Sequence, residues 1–80
     1  MMKFHLQLIF ISDNQDMMFP MICKQSDLIS RLEEKLYKEY PKYKDINTNL
    51  TVNGEVIKRF KTIEENKIHK GNVIIVNKIE

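Results

Sequence analysis

The side chains suited to catalysis or metal binding begin with Cys23, the only cysteine, and the histidines His5 and His69. A nucleophilic cysteine needs a cationic group close by to hold it as a thiolate. The only basic neighbour of Cys23 is Lys24, which a strand would direct to the opposite face. We therefore expect Cys23 to be a small core hydrophobe and not a catalytic thiol. The two histidines have no cysteine or carboxylate at metal-ligand spacing, so we expect them to be exposed and to bind no metal.

Two adjacent pairs of glutamates are the candidates for acid-base chemistry: Glu33-Glu34 and Glu64-Glu65. Two carboxyl groups can divide acid and base roles only when their side chains converge on the same bond. Neighbouring side chains on a helix or a turn point apart, so we expect both pairs to be solvated surface. No phosphate-binding loop, nucleophile elbow or dinucleotide fingerprint occurs in the sequence. The sequence predicts no catalytic residues, no cofactor and no enzyme.

The length of the chain limits what it can build. We expect its 80 residues to form a single small domain, residues 1–80. A domain of this size buries only about 60 to 65% of the surface of its unfolded chain, which leaves little room for a catalytic cleft. The net charge is only +2, and the lysines are scattered among Glu and Asp. We therefore expect no nucleic-acid partner.

Cysteine use and apolar runs bear on the cellular compartment. A lone cysteine cannot form an intrachain disulfide, which favours an intracellular, reducing location in the cytoplasm or nucleus. No apolar run approaches the roughly 20 residues of a membrane span. The start of the chain also lacks the apolar core and the small-residue cleavage site of a secretory signal. We expect no membrane partner.

Two runs near the N-terminus alternate in the manner of β-strands. Residues 4–11 and 17–23 have apolar side chains at every second position, and a polar turn at 12–16 separates them. The inward sets are Phe4, Leu6, Leu8, Phe10, Met17, Phe19, Met21 and Cys23. The two runs should pair as a hairpin. Pro20 cannot donate a hydrogen bond to a neighbouring strand, so we expect the second run to be an edge strand.

A helix is predicted over residues 28–40. Its apolar side chains recur at three-and-four spacing: Ile29, Leu32, Leu36 and Tyr40. Ser26 and Asp27 supply a predicted N-cap, and Pro41 ends the helix. We expect Tyr43 and Ile46, in the connection that follows, to fold back on the core.

The second half of the chain carries three further strand signals. Short β-rich runs on either side of Asn53-Gly54 predict a hairpin with a type I′ turn. Residues 73–76 are a nearly continuous apolar run. Such a run is typical of a buried strand with a parallel neighbour, and we expect that neighbour to be the first strand.

These elements occur in the order of the ubiquitin-like, or β-grasp, domain family. The residues that carry the resemblance are Ser26-Asp27, the face of Ile29, Leu32 and Leu36, Leu50-x-Val52-x-Gly54, and Ile63-x-x-x-x-Ile68-x-x-Gly71-x-x-Ile74. The chain resembles this family from Phe4 to Lys78, with a longer first hairpin turn. The resemblance implies an α+β fold of order ββαββ with a final strand, in which a mixed sheet packs on one helix.

The resemblance also points to a recognition surface. In ubiquitin the usual surface is an apolar patch on the third and last strands, centred on an isoleucine. The equivalent positions here are Thr51, Gly54, Ile75 and Asn77, with Thr51 in place of the central isoleucine. An apolar anchor usually dominates such an interface. We therefore expect ordinary ubiquitin receptors not to bind this face.

A second apolar group lies on the face of the first hairpin that should point away from the helix. Its members are Ile9, Ile11, Met18, Pro20 and Ile22, where a solvated sheet usually has Thr, Lys or Glu. Clustered exposed apolar residues on a small domain mark an interaction surface, and Ile9 matches the centre of a secondary, phenylalanine-centred patch of ubiquitin. We expect this group to bind other proteins. Packing at the hairpin edge, or cover by a neighbouring domain, is the alternative.

The C-terminal residues separate two hypotheses for function. Conjugated ubiquitin-like modifiers end in a flexible diglycine tail, whereas this chain ends Asn77-Lys78-Ile79-Glu80. The leading hypothesis is a non-conjugating ubiquitin-like protein-protein interaction module, alone or as one domain of a larger protein. The alternative is a modifier or tag released from a precursor. Its reactive C-terminus would lie beyond Glu80 or be made by an adjoining self-processing, intein-like domain.

A third hypothesis is a Ras-association-type domain, which would bind a GTPase by adding its second strand to the partner's sheet. Basic residues on that strand would favour it, and only Lys24 qualifies. For the oligomeric state we expect a monomer, with weak self-association through exposed apolar residues as the variant.

Overall fold

The computed structural model describes residues 5–79, which form a five-stranded sheet and one α-helix. The elements are, in chain order, β1 (His5–Ser12), β2 (Met18–Lys24), α1 (Ile29–Glu39), a 3-10 turn (Pro41–Tyr43), β3 (Thr48–Val52), β4 (Glu55–Val56) and β5 (Val73–Lys78). Phe4, which the alternation assigns to the inward set, lies outside the described residues.

The sheet has the strand order β2-β1-β5-β3-β4. β1 pairs antiparallel with β2 and parallel with β5, while β3 pairs antiparallel with both β5 and β4. The predicted parallel pairing of the first and last strands is therefore confirmed, and so is the position of β2, with Pro20, at an edge. The mixed sheet and single helix have the element order of the β-grasp, as the sequence predicts.

Burial follows the predicted strand and helix periods. The predicted inward residues that are buried are Leu6, Leu8, Phe10, Met17, Met21, Cys23, Ile29, Leu32 and Leu36, while Tyr40 is half-buried. In the second half of the chain the core is completed by residues of the predicted strands and of the family resemblance, which include Leu50, Val52, Ile68, Ile74 and Val76. Phe19 is only half-buried, because it lies on the edge strand and packs against the border of the core. Its ring meets Tyr40 edge-on, with centroids 5.8 Å apart.

The start of α1 differs from the predicted N-cap. Leu28 occupies the cap position, and no side chain caps the helix. The backbone N–H groups of Ile29 and Ser30 instead donate to the carbonyls of Lys61 and Arg59, at 3.0 and 2.9 Å. Backbone acceptors from a distant segment therefore do the work that the sequence assigned to Ser26 and Asp27.

The connection after α1 packs only in part as expected. Tyr43 is buried, whereas Ile46 is exposed. The Tyr43 hydroxyl donates to Asp16 Oδ1 at 2.7 Å, and Lys42 Nζ donates to Asp16 Oδ2 at 2.9 Å. Ser12 Oγ also donates to Asp16, at 2.8 Å. These bonds fix the first hairpin turn to the 3-10 turn.

The turn between β3 and β4 has the conformation that its residues predict. Asn53 has φ 52° and Gly54 has φ 82°. A type I′ turn needs positive φ at both central positions, and asparagine and glycine reach that region most readily. The hairpin prediction is confirmed.

The end of β5 is tied to two other parts of the domain. The backbone N–H of Lys78 donates to Asp13 Oδ2 at 3.0 Å, and that of Ile79 donates to the carbonyl of Asn47 at 2.8 Å. Residues 78 and 79 are therefore part of the folded body.

Candidate functional site

Within residues 5–79, one face of the sheet is covered by no other element. The helix and the buried side chains share a single core on the inner face, so the outward positions of the strands meet solvent. The pairing register places these positions in rows across the sheet. The first row is Met18, Ile11, Ile75, Thr51 and Val56, and the second is Pro20, Ile9 and Val73. We call these eight residues together with Ile22 the outer face.

The group predicted from the first hairpin lies on the outer face as expected. Met18 and Ile22 are 62% and 59% exposed, and Pro20 is exposed beside them. Ile9 and Ile11 point the same way but are half-buried, because β1 has neighbours on both sides while β2 is an edge. The exposed part of the predicted surface is therefore concentrated on β2.

The positions equivalent to the ubiquitin patch form a more polar area. Asn77 Nδ2 donates to Thr51 Oγ1 at 3.0 Å, which links the two polar side chains between β5 and β3. Gly54 is exposed at the turn, and Ile75 is half-buried. Ile75 is thus the only large apolar side chain among these four positions.

The parallel pairing of β1 with β5 joins the two predicted groups. Ile11 lies beside Ile75, and Ile9 lies beside Val73. Val73 extends the apolar surface across β5, and Val56, 63% exposed, lies at its far edge on β4. Neither valine was assigned to this surface from the sequence, although the outward alternation of residues 73 and 75 could have identified the first.

The outward strand positions carry few charged side chains. Among the outward strand positions within residues 5–79 there is no aspartate or glutamate. Lys24 lies at one end of β2, opposite His5.

The residues considered for catalysis or metal binding do not come together. Burial raises the pKa of the Cys23 thiol to about 11, and the Asp27 carboxylate acts in the same direction. Such a thiol is poorly nucleophilic at neutral pH. His5 and His69 are both exposed, and the described part of the chain contains no group of three His, Cys, Asp or Glu side chains that could hold a metal.

The expectation that Glu33 is solvated is wrong. Glu33 is buried, and its Oε1 and Oε2 accept hydrogen bonds from Arg59 Nε at 2.8 Å and Arg59 Nη2 at 2.7 Å. The Tyr37 hydroxyl donates to Oε2 at 2.8 Å and lies 2.9 Å from Thr48 Oγ1. Burial raises the pKa of Tyr37 to about 12. The carboxylate is fully engaged in holding α1 to β3 and to the segment after β4.

Glu64 and Glu65 are exposed, as expected. Glu65 has a local role, because its carboxylate accepts the backbone N–H of Thr62 at 2.9 Å while Thr62 Oγ1 accepts the N–H of Glu65. This reciprocal pair fixes a turn.

Within residues 5–79, no helix is long and apolar enough to span a membrane.

The same fold occurs among solved structures. The chain is similar to a de novo designed protein based on ubiquitin, with a TM-score of 0.75 and 19% sequence identity, over 94% of this chain and 89% of the designed one. A scan against protein-family models and a search of curated proteins give no match. At this level of identity the similarity establishes the fold alone.

Proposed function

We propose that this chain, which has the ubiquitin-like β-grasp fold, is a non-conjugating module that binds another protein through the outer face of its sheet. The observation that carries the proposal is the apolar row from Met18 on β2 across Ile11 to Ile75, with Ile22 exposed further along β2. Small soluble domains rarely expose contiguous apolar surface without a binding role.

The exposure pattern supports β2 as the strand that carries the anchors of the proposed interface. Met18 and Ile22 are the large apolar side chains of β2 that are most exposed, and Pro20 between them is rigid. A partner that covers these side chains removes apolar area from water without displacing any ion pair. The area around Thr51 offers less apolar surface to a partner, because it is occupied by polar groups: the Thr51 hydroxyl accepts a hydrogen bond from Asn77.

The hydrogen bonds at the end of β5 favour the non-conjugating hypothesis. A tail that enters an activating enzyme has to be slender and mobile. The backbone N–H groups of Lys78 and Ile79 instead donate hydrogen bonds to Asp13 and Asn47. The alternative, a modifier released from a precursor, requires any reactive tail to begin after Ile79.

Affinity isolation with matched variants tests the proposal. The baits are the wild type, Ile22→Lys and Val56→Lys, since the two substituted side chains are similarly exposed, at 59% and 63%, but lie at opposite edges of the sheet. We expect proteins that bind the wild type and Val56→Lys to be lost with Ile22→Lys. Loss with Val56→Lys alone would place the interface on the ubiquitin-equivalent side.

An NMR titration with a protein found in this way then maps the interface. We expect the amides of Ile9, Ile11, Met18 and Ile22 to shift at lower partner concentration than those of Thr51. A concentration series of the domain alone serves as the control for self-association. If the Thr51 amide responds first, the assignment of the interface to the first hairpin is wrong.

A further inference from the structure

Phe60 is the most exposed large apolar side chain that the structure describes, at 81%. It lies in a tight turn over residues 58–61, which the N–H of Lys61 closes by donating to the carbonyl of Lys58 at 3.1 Å. Turn positions of this kind usually hold Gly, Asn, Asp or Ser. Neither the turn nor the core requires a phenylalanine here.

The residues on both sides of Phe60 are firmly anchored. The Arg59 guanidinium is paired with Glu33, and the carbonyls of Arg59 and Lys61 accept the first N–H groups of α1. Lys58 exchanges two hydrogen bonds with the Asn66 side chain, at 2.8 and 2.9 Å. Phe60 is therefore displayed by a backbone that is already ordered, which lowers the entropic cost of binding through it.

The turn lies on the side of the sheet opposite the outer face. Its carbonyls bond to α1, which packs on the inner face. Leu28, also exposed, is bridged to Thr62 only two residues from Phe60. A partner at this turn would leave the outer face free for another.

The charges beside Phe60 are cationic. Lys58 and Lys61 are exposed, and within residues 5–79 neither of them forms a salt bridge. Glu33 is nearby but is paired with Arg59, and an oxygen of Glu65 accepts the backbone N–H of Thr62. The turn thus presents an aromatic side chain between two available ammonium groups.

From this arrangement we infer that the 58–61 turn is a second binding site, at which Phe60 inserts into an apolar pocket with an acidic rim on a partner protein. The aromatic ring supplies apolar contact area with few rotatable bonds, and Lys58 and Lys61 pair with carboxylates around the pocket. The site does not depend on the outer face, so the domain could join two partners.

The complementary chemistry can be probed with p-sulfonatocalix[4]arene, a water-soluble aromatic cup with an anionic rim. In an NMR titration we expect the amides of residues 58–61 to shift at lower probe concentration than those near other lysines. Phe60→Ser and Lys58→Glu should each weaken binding at this turn by about fivefold or more. Met18→Ser is the matched control, because Met18 is also an exposed apolar residue but has no lysine next to it. The Met18→Ser variant should bind the probe at this turn as tightly as the wild type does.

Two further measurements complete the test. Because Phe60 is so exposed, Phe60→Ser should unfold at the same temperature as the wild type, which excludes misfolding as the cause of lost binding. Equal probe affinity of Phe60→Ser and wild type, or shifts only at other lysines, would overturn the inference. Phe60-dependent sedimentation with phosphatidylserine vesicles, without selective binding of the cup, would overturn it too and assign the turn to a membrane surface. None of these outcomes bears on the outer face, which the Ile22→Lys bait tests separately.

Discussion

Glu33 and Arg59 form a two-point ion pair between the middle of α1 and the segment that follows β4. The same guanidinium donates to the carbonyl of Thr48 at 3.1 Å, so the pair connects the helix, β3 and the 58–61 turn. The Arg59 side chain is 36% exposed, whereas that of Glu33 is 8% exposed. Removal of Arg59 would leave a nearly buried carboxylate without its cation.

Arg59→Ala should therefore lower the free energy of unfolding by about 1 to 3 kcal/mol. The loss should be below that of a fully buried pair because water reaches part of the guanidinium. Chemical denaturation measures it. The double variant Glu33→Leu and Arg59→Ala is the control, since it removes the stranded carboxylate and should recover part of the loss. If Arg59→Ala is as stable as the wild type, the ion pair between Glu33 and Arg59 does not stabilise the fold.

The ion pair shows where the sequence analysis reached its limit. Position 33 fits the inward helix face, because Ile29, Glu33 and Leu36 are separated by four and then three residues. Residue type led to the opposite prediction, since a glutamate is rarely buried without a partner. Its partner is 26 residues away in the sequence, and only the folded chain brings the two together.

The strands were predicted more successfully because their period is local. Alternation in β1 and β2, the Asn53-Gly54 turn and the apolar run at 73–76 each follow from neighbouring residues, and together they predict the sheet. Buried side chains in irregular segments have no such period. Ile57 and Ile63 are buried in this way and were not predicted. The continuity of the outer face depends on the β1–β5 register, which the sequence alone does not give.

Leu36 tests the predicted helix face. Its side chain is fully buried among residues of α1 and the sheet. Leu36→Ala should reduce the free energy of unfolding by about 2 to 5 kcal/mol, through lost burial and the cavity that remains. For a domain this small, such a loss threatens folding. Lys38→Ala, two residues away on the exposed side, should change the denaturation midpoint little; equal effects of the two substitutions would mean that the helix face is misassigned.

Asp16 should make the stability of the domain depend on pH in the acid range. Hydrogen bonds from Tyr43, then from Lys42 and Ser12, hold the pKa of Asp16 well below its usual range in the folded state. In the unfolded chain the pKa is about 3.9. The stabilisation is therefore complete above about pH 4 and is lost as the pH falls toward the lower, folded pKa.

The comparison of wild type with Asp16→Asn isolates this effect. The difference between their denaturation midpoints should be constant from pH 7 to pH 5, and it should narrow progressively below about pH 4. Tyr43→Phe removes the largest cause of the lowered pKa, so its acid-dependent loss of stability should be smaller than that of the wild type and should end at a higher pH. If the difference between the midpoints of wild type and Asp16→Asn instead widens as the pH falls, the Asp16 carboxylate does not stabilise the folded state.

The last prediction concerns activation of the C-terminus. Activation requires a tail that enters a narrow enzyme site, is adenylated by ATP and is then captured by a thiol. In this 80-residue chain the tail residues are Lys78, Ile79 and Glu80, which are large or charged, and the backbone N–H groups of Lys78 and Ile79 are bonded to the folded body. We therefore expect no thioester when the chain is incubated with ATP and a ubiquitin-activating enzyme, under conditions in which ubiquitin forms one. A variant with two glycines added after Glu80 distinguishes the causes: if it forms the thioester, the body of the domain is compatible with activation and only the tail prevents it. A thioester on the unextended chain would rule out the non-conjugating assignment.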